Sequence, residues 1–324
     1  MASLLPMSKT IGLKFEKLIR RFIWSSSGHL LKVALDELKL PLSRGGLGLP
    51  CIHRMGDSLL LTQSLRLLKN SDFKSKFFML YWIGQILVDV IPDMDPEDIE
   101  VSAPSYFEYL AVLLSDAKIA DLFTSANWKG LTNKAVYQYQ ISLLNSPKVE
   151  LVSGSSMSLA WRRYCQPSLC AEIREILFLL LHRKLPVKER LFSIKIVDDP
   201  FCDQCCETDE PSDLICDLEH FFCQCNNVIE VWGEIRGVIR NLLQSFSSDV
   251  DLTTLSFPNS IFDEEITWLL GSYFHYVWNN VHVRRAAICR AQLFGHLKFK
   301  YKKDQLGARS KMNTRMESLL NLLT

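Results

Sequence analysis

The residues best suited to chemistry are cysteines crowded into one short segment. Six of the ten cysteines lie between positions 202 and 225. Two residues separate Cys202 from Cys205, and four separate His220 from Cys225. Three thiolates and one imidazole form a complete tetrahedral shell for Zn²⁺. The spacing therefore predicts one structural zinc ion, held by Cys202, Cys205, His220 and Cys225.

Buried reduced thiols and disulfides are the competing explanations for this cluster. Free cysteine packs like a small hydrophobe, but burial alone does not concentrate cysteines around a lone histidine. Residues 1–9 lack the apolar core and cleavage site of a secretory signal. We therefore expect an intracellular protein of the nucleus or cytoplasm, whose reduced thiols favour metal over bridges.

The choice of ligands within the cluster stays open at this point. Cys205 is preferred over Cys206 because a two-residue gap is the commoner one in zinc turns. Any of three further cysteines could still replace a ligand, namely Cys206, Cys216 and Cys223.

Charge is strongly segregated along the chain, although the net charge is only +1. Residues 196–235 contain eleven acids and no lysine or arginine. Of the 36 acids, 25 then remain against 37 bases, so the rest of the chain carries an excess of 12 positive charges. Phosphate binding requires lysine and arginine, so the acidic segment is a poor nucleic-acid contact. Its expected role is structural, as a loop that is folded by its metal.

Helical periodicity dominates the chain and predicts a mainly α protein. After a first helix near residues 11–22, the pattern favours helices over residues 52–68, 77–88, 106–113, 131–144, 171–181, 228–243, 264–303 and 312–323. Short strands are expected only near residues 149–152 and around the metal loop. No apolar run reaches the ~18 residues that a membrane span needs, so we expect no membrane partner.

Two helical segments carry basic faces that could follow a phosphate backbone. In the first helix, apolar residues recur with helical spacing at Ile11, Phe15, Leu18 and Phe22, which predicts a basic outer face of Lys14, Lys17, Arg20 and Arg21. The late segment has no acid for 38 residues after Glu265. Its basic side is predicted to comprise Arg284, Arg285, Lys302 and Lys303, opposite Val283, Ala286, Leu293, Phe294, Leu297 and Tyr301. An acidic beginning and a basic end that complement the helix dipole would explain the charges of that segment equally well.

Two blocks of sequence resemble the C-terminal part of non-LTR retrotransposon reverse transcriptases. The first is Phe22-Ile-Trp24 followed by Pro41-Leu-Ser-Arg-Gly-Gly-Leu-Gly-Leu-Pro50, which is similar to the start of the polymerase thumb. The second runs from Leu185 through the cysteine cluster to Trp232 and resembles the reverse-transcriptase zinc-binding domain. The resemblance implies the same four ligands as the spacing does.

The resemblance also implies a domain organisation and a function. We expect a thumb-like helix and loop in residues 1–50, a helical connector in 51–152, a CCHC zinc-binding domain in 153–235 and a C-terminal helical region in 236–324. The implied function is non-catalytic binding of zinc and of RNA or DNA, with the catalytic part of a longer polymerase as a further partner and with no small-molecule substrate. The alternative is a zinc-braced protein-interaction module that does not bind nucleic acid.

No catalytic residues are expected in this sequence. Reverse transcription needs paired carboxylates that hold two Mg²⁺ ions, and in the family these lie in the palm, which precedes the thumb. The Ile196-Val-Asp-Asp199 segment only superficially matches the polymerase turn, because Ile196 replaces the aromatic residue and Pro200 follows at once. Its acids are expected to be solvated or to cap the metal loop.

Overall fold

The computed structural model describes residues 8–23, 33–69, 73–90, 104–116, 132–144, 157–205, 214–243, 253, 255, 257–283 and 288–307. These residues are mainly helical, as the periodicity predicted. The extended pairing among them is one isolated antiparallel bridge between Phe201 and Ile215. None of the helices in these ranges is long and apolar enough to cross a membrane. The predicted helix over residues 312–323 and the predicted strand over 149–152 lie outside the described residues.

The chain divides into two compact units. Unit 1 comprises residues 1–31, 35–40 and 47–145, and unit 2 comprises residues 32–34, 41–46 and 146–324. The helices of unit 1 are α1 (Lys9–Ile23), α2 (Leu35–Lys39), α3 (Ile52–Lys69), α4 (Phe73–Val90), α5 (Ser105–Ser115) and α6 (Asn133–Ser142).

The core of unit 1 is formed by α3 to α6. Its fully buried apolar side chains are Leu60, Leu61, Leu65, Met79, Ile83, Leu110, Leu114 and Val136. A polar contact joins α3 to α5, since the Tyr109 hydroxyl donates to Asp57 at 2.8 Å. The Thr132 side chain accepts from the Ala135 amide at 3.2 Å, which fixes the beginning of α6 at Asn133.

The predicted buried face of α1 is wrong. Its buried residues are Gly12 and Glu16, whereas the expected inner stripe is exposed, from 48% at Ile11 to 88% at Phe22. Lys39 forms a 2.9 Å ion pair with Glu16, and Gly12 lies beside His53, where an added Cβ would be in ordinary van der Waals contact at 3.6 Å. The buried ion pair therefore orients this helix, which apolar periodicity cannot reveal.

Unit 2 contains the remaining helices and the cysteine cluster. They are α7 (Met157–Tyr164), α8 (Ala171–Leu181), α9 (Lys188–Ser193), α10 (Ile229–Leu243), α11 (Asp263–Val277) and α12 (Arg290–Gly307), with π-helical turns at His220–Gln224 and Trp278–Val283. Helices α8 and α11 are central, and a Cβ on Gly271 of α11 would overlap the Ile173 side chain of α8. Glycine is thus needed where these two helices cross.

The glycines that follow Pro41 have a local packing role. Gly45 adopts a positive φ of 84°, which glycine tolerates best, and a Cβ there would lie 2.6 Å from the Trp161 ring. Its carbonyl accepts a 2.8 Å hydrogen bond from the His182 ring. Part of the block that resembles the thumb therefore packs on α7 and α8 within unit 2.

The late segment is not the single helix over residues 264–303 that periodicity predicted. Helix α11 ends at Val277, a π turn follows, and α12 begins only at Arg290. The break brings the Trp268 and Tyr301 rings within 5.8 Å of each other. The predicted apolar side of α12 is nevertheless buried, at Leu293, Phe294, Leu297 and Tyr301.

Candidate metal centre

The first two candidate ligands lie in a tight turn that adjacent backbone pairing holds in place. The Cys205 amide donates to the Cys202 carbonyl at 3.2 Å. On one side, the Cys202 amide donates to Leu214 at 3.0 Å, and on the other the Cys216 amide donates to Pro200 at 2.8 Å. These bonds flank the Phe201–Ile215 bridge. The tight turn from Cys202 to Cys205 and the Phe201–Ile215 bridge thus place both sulfur atoms on the same side of the loop.

The second two candidate ligands lie at the ends of the π turn. An Asp217 carboxylate oxygen accepts from the His220 amide at 2.7 Å, and the Cys225 amide donates to the His220 carbonyl at 2.8 Å. Helix α10 then begins at Ile229. Because a π turn is wider than an α turn, the four-residue gap brings the imidazole and the thiol together.

The four predicted ligands lie together at distances that suit one tetrahedral ion. Their ligand atoms all lie within 4.8 Å of one another, and all four residues are buried. Zn–S bonds of about 2.3 Å and Zn–N bonds of about 2.0–2.1 Å place sulfur atoms about 3.8 Å apart and a sulfur–nitrogen pair about 3.5 Å apart. Cys202 lies 3.8 Å from Cys225, and Cys205 lies 3.9 Å from Cys225 and 3.5 Å from the His220 Nε2. The cluster could therefore hold a metal ion.

The alternative ligands differ in their placement. Cys206 lies outside the described residues. Cys216 and Cys223 are buried but are not in the four-residue group. The Cys216 thiol instead hydrogen-bonds to Cys202, so it lies beside the group and supports one ligand.

In the absence of a metal, the electrostatics of the cluster favour one deprotonated cysteine and disfavour further deprotonation of its neighbours. Hydrogen bonds from the Cys216 and Cys225 thiols hold the pKa of Cys202 well below that of an ordinary thiol. The hydrogen bond with Cys202, together with burial, raises the pKa of Cys225, and burial raises that of Cys205. A divalent cation removes this penalty by compensating the additional negative charges, so metal binding here must release protons.

Aromatic packing attaches the metal module to α11. The Tyr273 hydroxyl donates to the Phe222 carbonyl at 2.7 Å, and the Phe222 and Phe274 rings lie 5.1 Å apart. Trp232 of α10 lies over Tyr273 at 5.3 Å. Trp232, which the sequence resemblance singled out, is thus a packing residue of the module.

The acidic residues at the beginning of the metal loop accept a backbone hydrogen bond or form ion pairs with Lys188. An Asp199 oxygen accepts from the Phe201 amide at 3.0 Å, and Lys188 pairs with Asp199 at 3.2 Å and with Asp203 at 2.5 Å. Asp198 is exposed. The expected solvated or capping roles fit this arrangement.

The predicted nucleic-acid residues are described only in part. Lys14, Lys17 and Arg21 are exposed and Arg20 is half-buried. Lys302 and Lys303 are exposed at the end of α12, whereas Arg284 and Arg285 lie outside the described ranges. The cations of α1 belong to unit 1 and those of α12 to unit 2.

One basic surface is absent from the candidates that the sequence suggested. It surrounds α9, where residues 183–195 contain five bases and one acid, and it borders a cleft of about 540 Å³. The density of bases in this short stretch was a usable signal. Helix α9 has only six residues, too few to show the helical periodicity that indicated the other basic faces.

Comparisons with protein-family models, with curated proteins and with solved structures found no match to this chain.

Proposed function

We propose that Cys202, Cys205, His220 and Cys225 bind one structural Zn²⁺ ion. The observation that carries this proposal is the tetrahedral spacing of four buried ligand atoms. Thiolate and imidazole ligands suit zinc, and a shell that the protein completes suits a structural site. The ion stabilises a loop whose own backbone pairing is one isolated bridge, and aromatic packing then fixes that loop on α11.

We further propose that the chain is a zinc-braced nucleic-acid-binding protein of the reverse-transcriptase zinc-binding type. Support comes from the match between the clustered residues and the CCHC pattern of that family, and from the positive charge outside residues 196–235. The exposed cations of α1 and α12 are available for phosphate contacts. These residues bind and do not catalyse, so we expect no nucleotide incorporation on a primed RNA template with Mg²⁺ or Mn²⁺. We also expect Asp198→Ala to have no effect on any activity of the chain.

One observation favours the alternative of a protein-interaction module. The apolar stripe of α1 is exposed at Ile11, Phe15, Leu18 and Phe22. An exposed apolar helix face of this kind is suited to contact with a partner protein. In that alternative the basic side of α1 serves solubility and orientation, and nucleic acid does not bind.

Salt-dependent binding separates the two candidates. Labelled RNA and DNA oligonucleotides are titrated with the chain at about 50 and 200 mM salt, and the affinity is expected to fall steeply because phosphate contacts release counterions. Reversal of Lys17, Arg20 and Arg21 to Glu is expected to weaken binding more than neutralising Lys302 and Lys303. Undetectable binding at about 50 mM salt contradicts nucleic-acid binding and favours the protein-interaction alternative.

A further inference from the structure

We propose that the surface around α9 is a binding site for single-stranded nucleic acid, in which cations hold the phosphates and an aromatic ring stacks on a base. The α9 surface comprises Arg183, Lys184, Arg190, Phe192 and Lys195. The proposal rests on the nucleic-acid binding proposed above, and it adds to the cations of α1 and α12 a contact site that is absent from the sequence-based candidates.

The first supporting feature is a cleft of suitable size and lining beside α9. Its volume is about 540 Å³, and Arg183, Lys184 and Arg190 line it together with apolar side chains that include Leu185 and Val187. Cations beside an apolar floor match the two parts of a nucleotide, which are a charged phosphate and a flat base.

The second feature is the backbone at the two ends of the surface. Arg183 and Lys195 have φ values of +51° and +60°. Each directly follows a helix terminus in a Schellman arrangement, with Lys184 donating to Leu179 at 2.7 Å and Ile196 donating to Leu191 at 2.9 Å. Glycine is the usual residue at this position, and a side chain there costs roughly 1–2 kcal/mol. At both ends the chain carries a strained cation in place of an unstrained glycine.

The third feature is the environment of Arg190. Its guanidinium is half-buried and donates to the Arg183 carbonyl at 3.2 Å, and burial lowers its pKa. No carboxylate forms a salt bridge with it among the described residues. A partly buried cation of this kind is stabilised by an anion that enters the cleft.

The fourth feature is exposed apolar area between the cations. Phe192 is 45% exposed, and its neighbour Ile194 is 43% exposed. The favourable interaction of cations with helix C-termini could by itself account for the basic residues, but it does not account for an exposed ring among them. A single strand whose phosphates contact the cations and whose base stacks on Phe192 accounts for both, and such stacking requires an unpaired base.

Acids on the other side of the cleft limit where a strand can lie. Glu189, Asp217 and Glu219 also line the cleft. Asp217 already accepts from the His220 amide, and Glu219 accepts from Gln224. Their charges repel phosphates, so the strand must follow the basic side. Glu189→Gln is accordingly expected to tighten binding.

The decisive variant is Arg183→Gly with Lys195→Gly. Glycine suits both backbone positions, so this protein is expected to unfold at the same temperature as the wild type or a higher one. Its dissociation constant for a labelled 12-nucleotide RNA or DNA strand is expected to rise roughly tenfold. The slope of log affinity against log salt is expected to fall by about 1.4, as for two lost single-strand contacts. Lys302→Ala with Lys303→Ala removes the same charge and is expected to have a smaller effect.

A second pair of variants tests stacking. Phe192→Ala is expected to weaken single-strand binding by roughly 5- to 150-fold and to leave duplex binding nearly unchanged. Phe192→Tyr is expected to keep the single-strand affinity of the wild type. Unchanged affinity in the double-glycine variant, an equal loss in the α12 variant, or a preference for duplex overturns the assignment to α9 while nucleic-acid binding stands. Absence of binding by the wild type overturns the proposed function as well.

Discussion

The hydroxyl of Tyr273 donates a 2.7 Å hydrogen bond to the carbonyl of Phe222, and both residues are buried. Phe222 lies in the π turn between His220 and Cys225, whereas Tyr273 belongs to central helix α11. This bond therefore links the candidate metal loop to the core of unit 2. Loss of metal is expected to loosen the loop and also to weaken its packing on α11.

Tyr273→Phe tests that link. The change leaves the Phe222 carbonyl without its hydroxyl donor, so we expect a loss of roughly 1–3 kcal/mol in the free energy of unfolding. Denaturant titration measures the loss, and zinc content in the same preparation is expected to stay unchanged because no ligand is altered. Zinc release by Tyr273→Phe would contradict a purely supporting role.

Gly271→Ala tests the crossing of α8 and α11. The added Cβ overlaps Ile173 and lies 3.1 Å from Leu177, so we expect destabilisation of roughly 1–3 kcal/mol. Gly233→Ala is the matched control, since a Cβ added at Gly233 in α10 would meet no heavy atom within 4 Å among the described residues. There the expected change is a gain of roughly 0.5–1 kcal/mol. Thermal or denaturant unfolding that gives the same sign for both variants would exclude this packing explanation.

Arg163 is the buried cation on which the segment before α11 depends. It donates to the Leu255 carbonyl at 2.7 Å, pairs with Asp263 at 3.1 Å and lies 3.4 Å from the centre of the Phe257 ring. Arg163→Met is expected to cost roughly 3–5 kcal/mol, because it removes the buried partner of Asp263 and the donor to the Leu255 carbonyl. The exposed Arg162, 3.8 Å from Asp263, compensates only weakly.

A double-mutant cycle with Asp263→Asn measures the coupling between these residues. We expect the two losses in unfolding free energy to be strongly non-additive, since both variants remove the same ion pair. Additive losses would show that the backbone carbonyls, and not Asp263, account for the contribution of Arg163.

Because His182 is buried, we expect the free energy of unfolding to decrease in mild acid. Burial lowers its pKa to about 4, against an ordinary value near 6.5. Between these values the unfolded chain binds a proton that the folded chain does not, so stability is full above pH 6.5 and falls as the pH drops toward 4. His275 behaves in the same way, with its pKa lowered to about 4 by burial.

His182→Gln provides the measurement. Unfolding free energy is compared with that of the wild type from pH 7 to 5, and the variant is expected to show a shallower decline even though it is less stable at pH 7. The comparison is restricted to the difference in slope because protonation of metal ligands affects both proteins equally. Identical slopes would contradict a neutral buried imidazole at this position.

Local sequence signals predicted the helices better than they predicted the surroundings of individual residues. Helix α8 was predicted with the observed bounds, Ala171–Leu181, because its apolar residues Ile173, Ile176, Leu177 and Leu180 recur with helical spacing. The buried face of α1 was missed because Lys39, 23 positions away, pairs with Glu16. Arg163 could not be predicted as a core residue, since its partner Asp263 lies 100 residues later. Ligand spacing predicted the clustering of the four candidate ligands because each pair of them lies within one turn.

Zinc analysis of the folded, reduced protein tests the central claim most directly. We expect about one zinc ion per chain, loss of zinc from Cys202→Ser and His220→Ala, and retention in Cys289→Ser, whose exposed cysteine lies outside the cluster. Retention in Cys225→Ser with loss in Cys223→Ser would keep the metal but overturn this choice of ligands. A folded, reduced preparation without zinc would contradict the account.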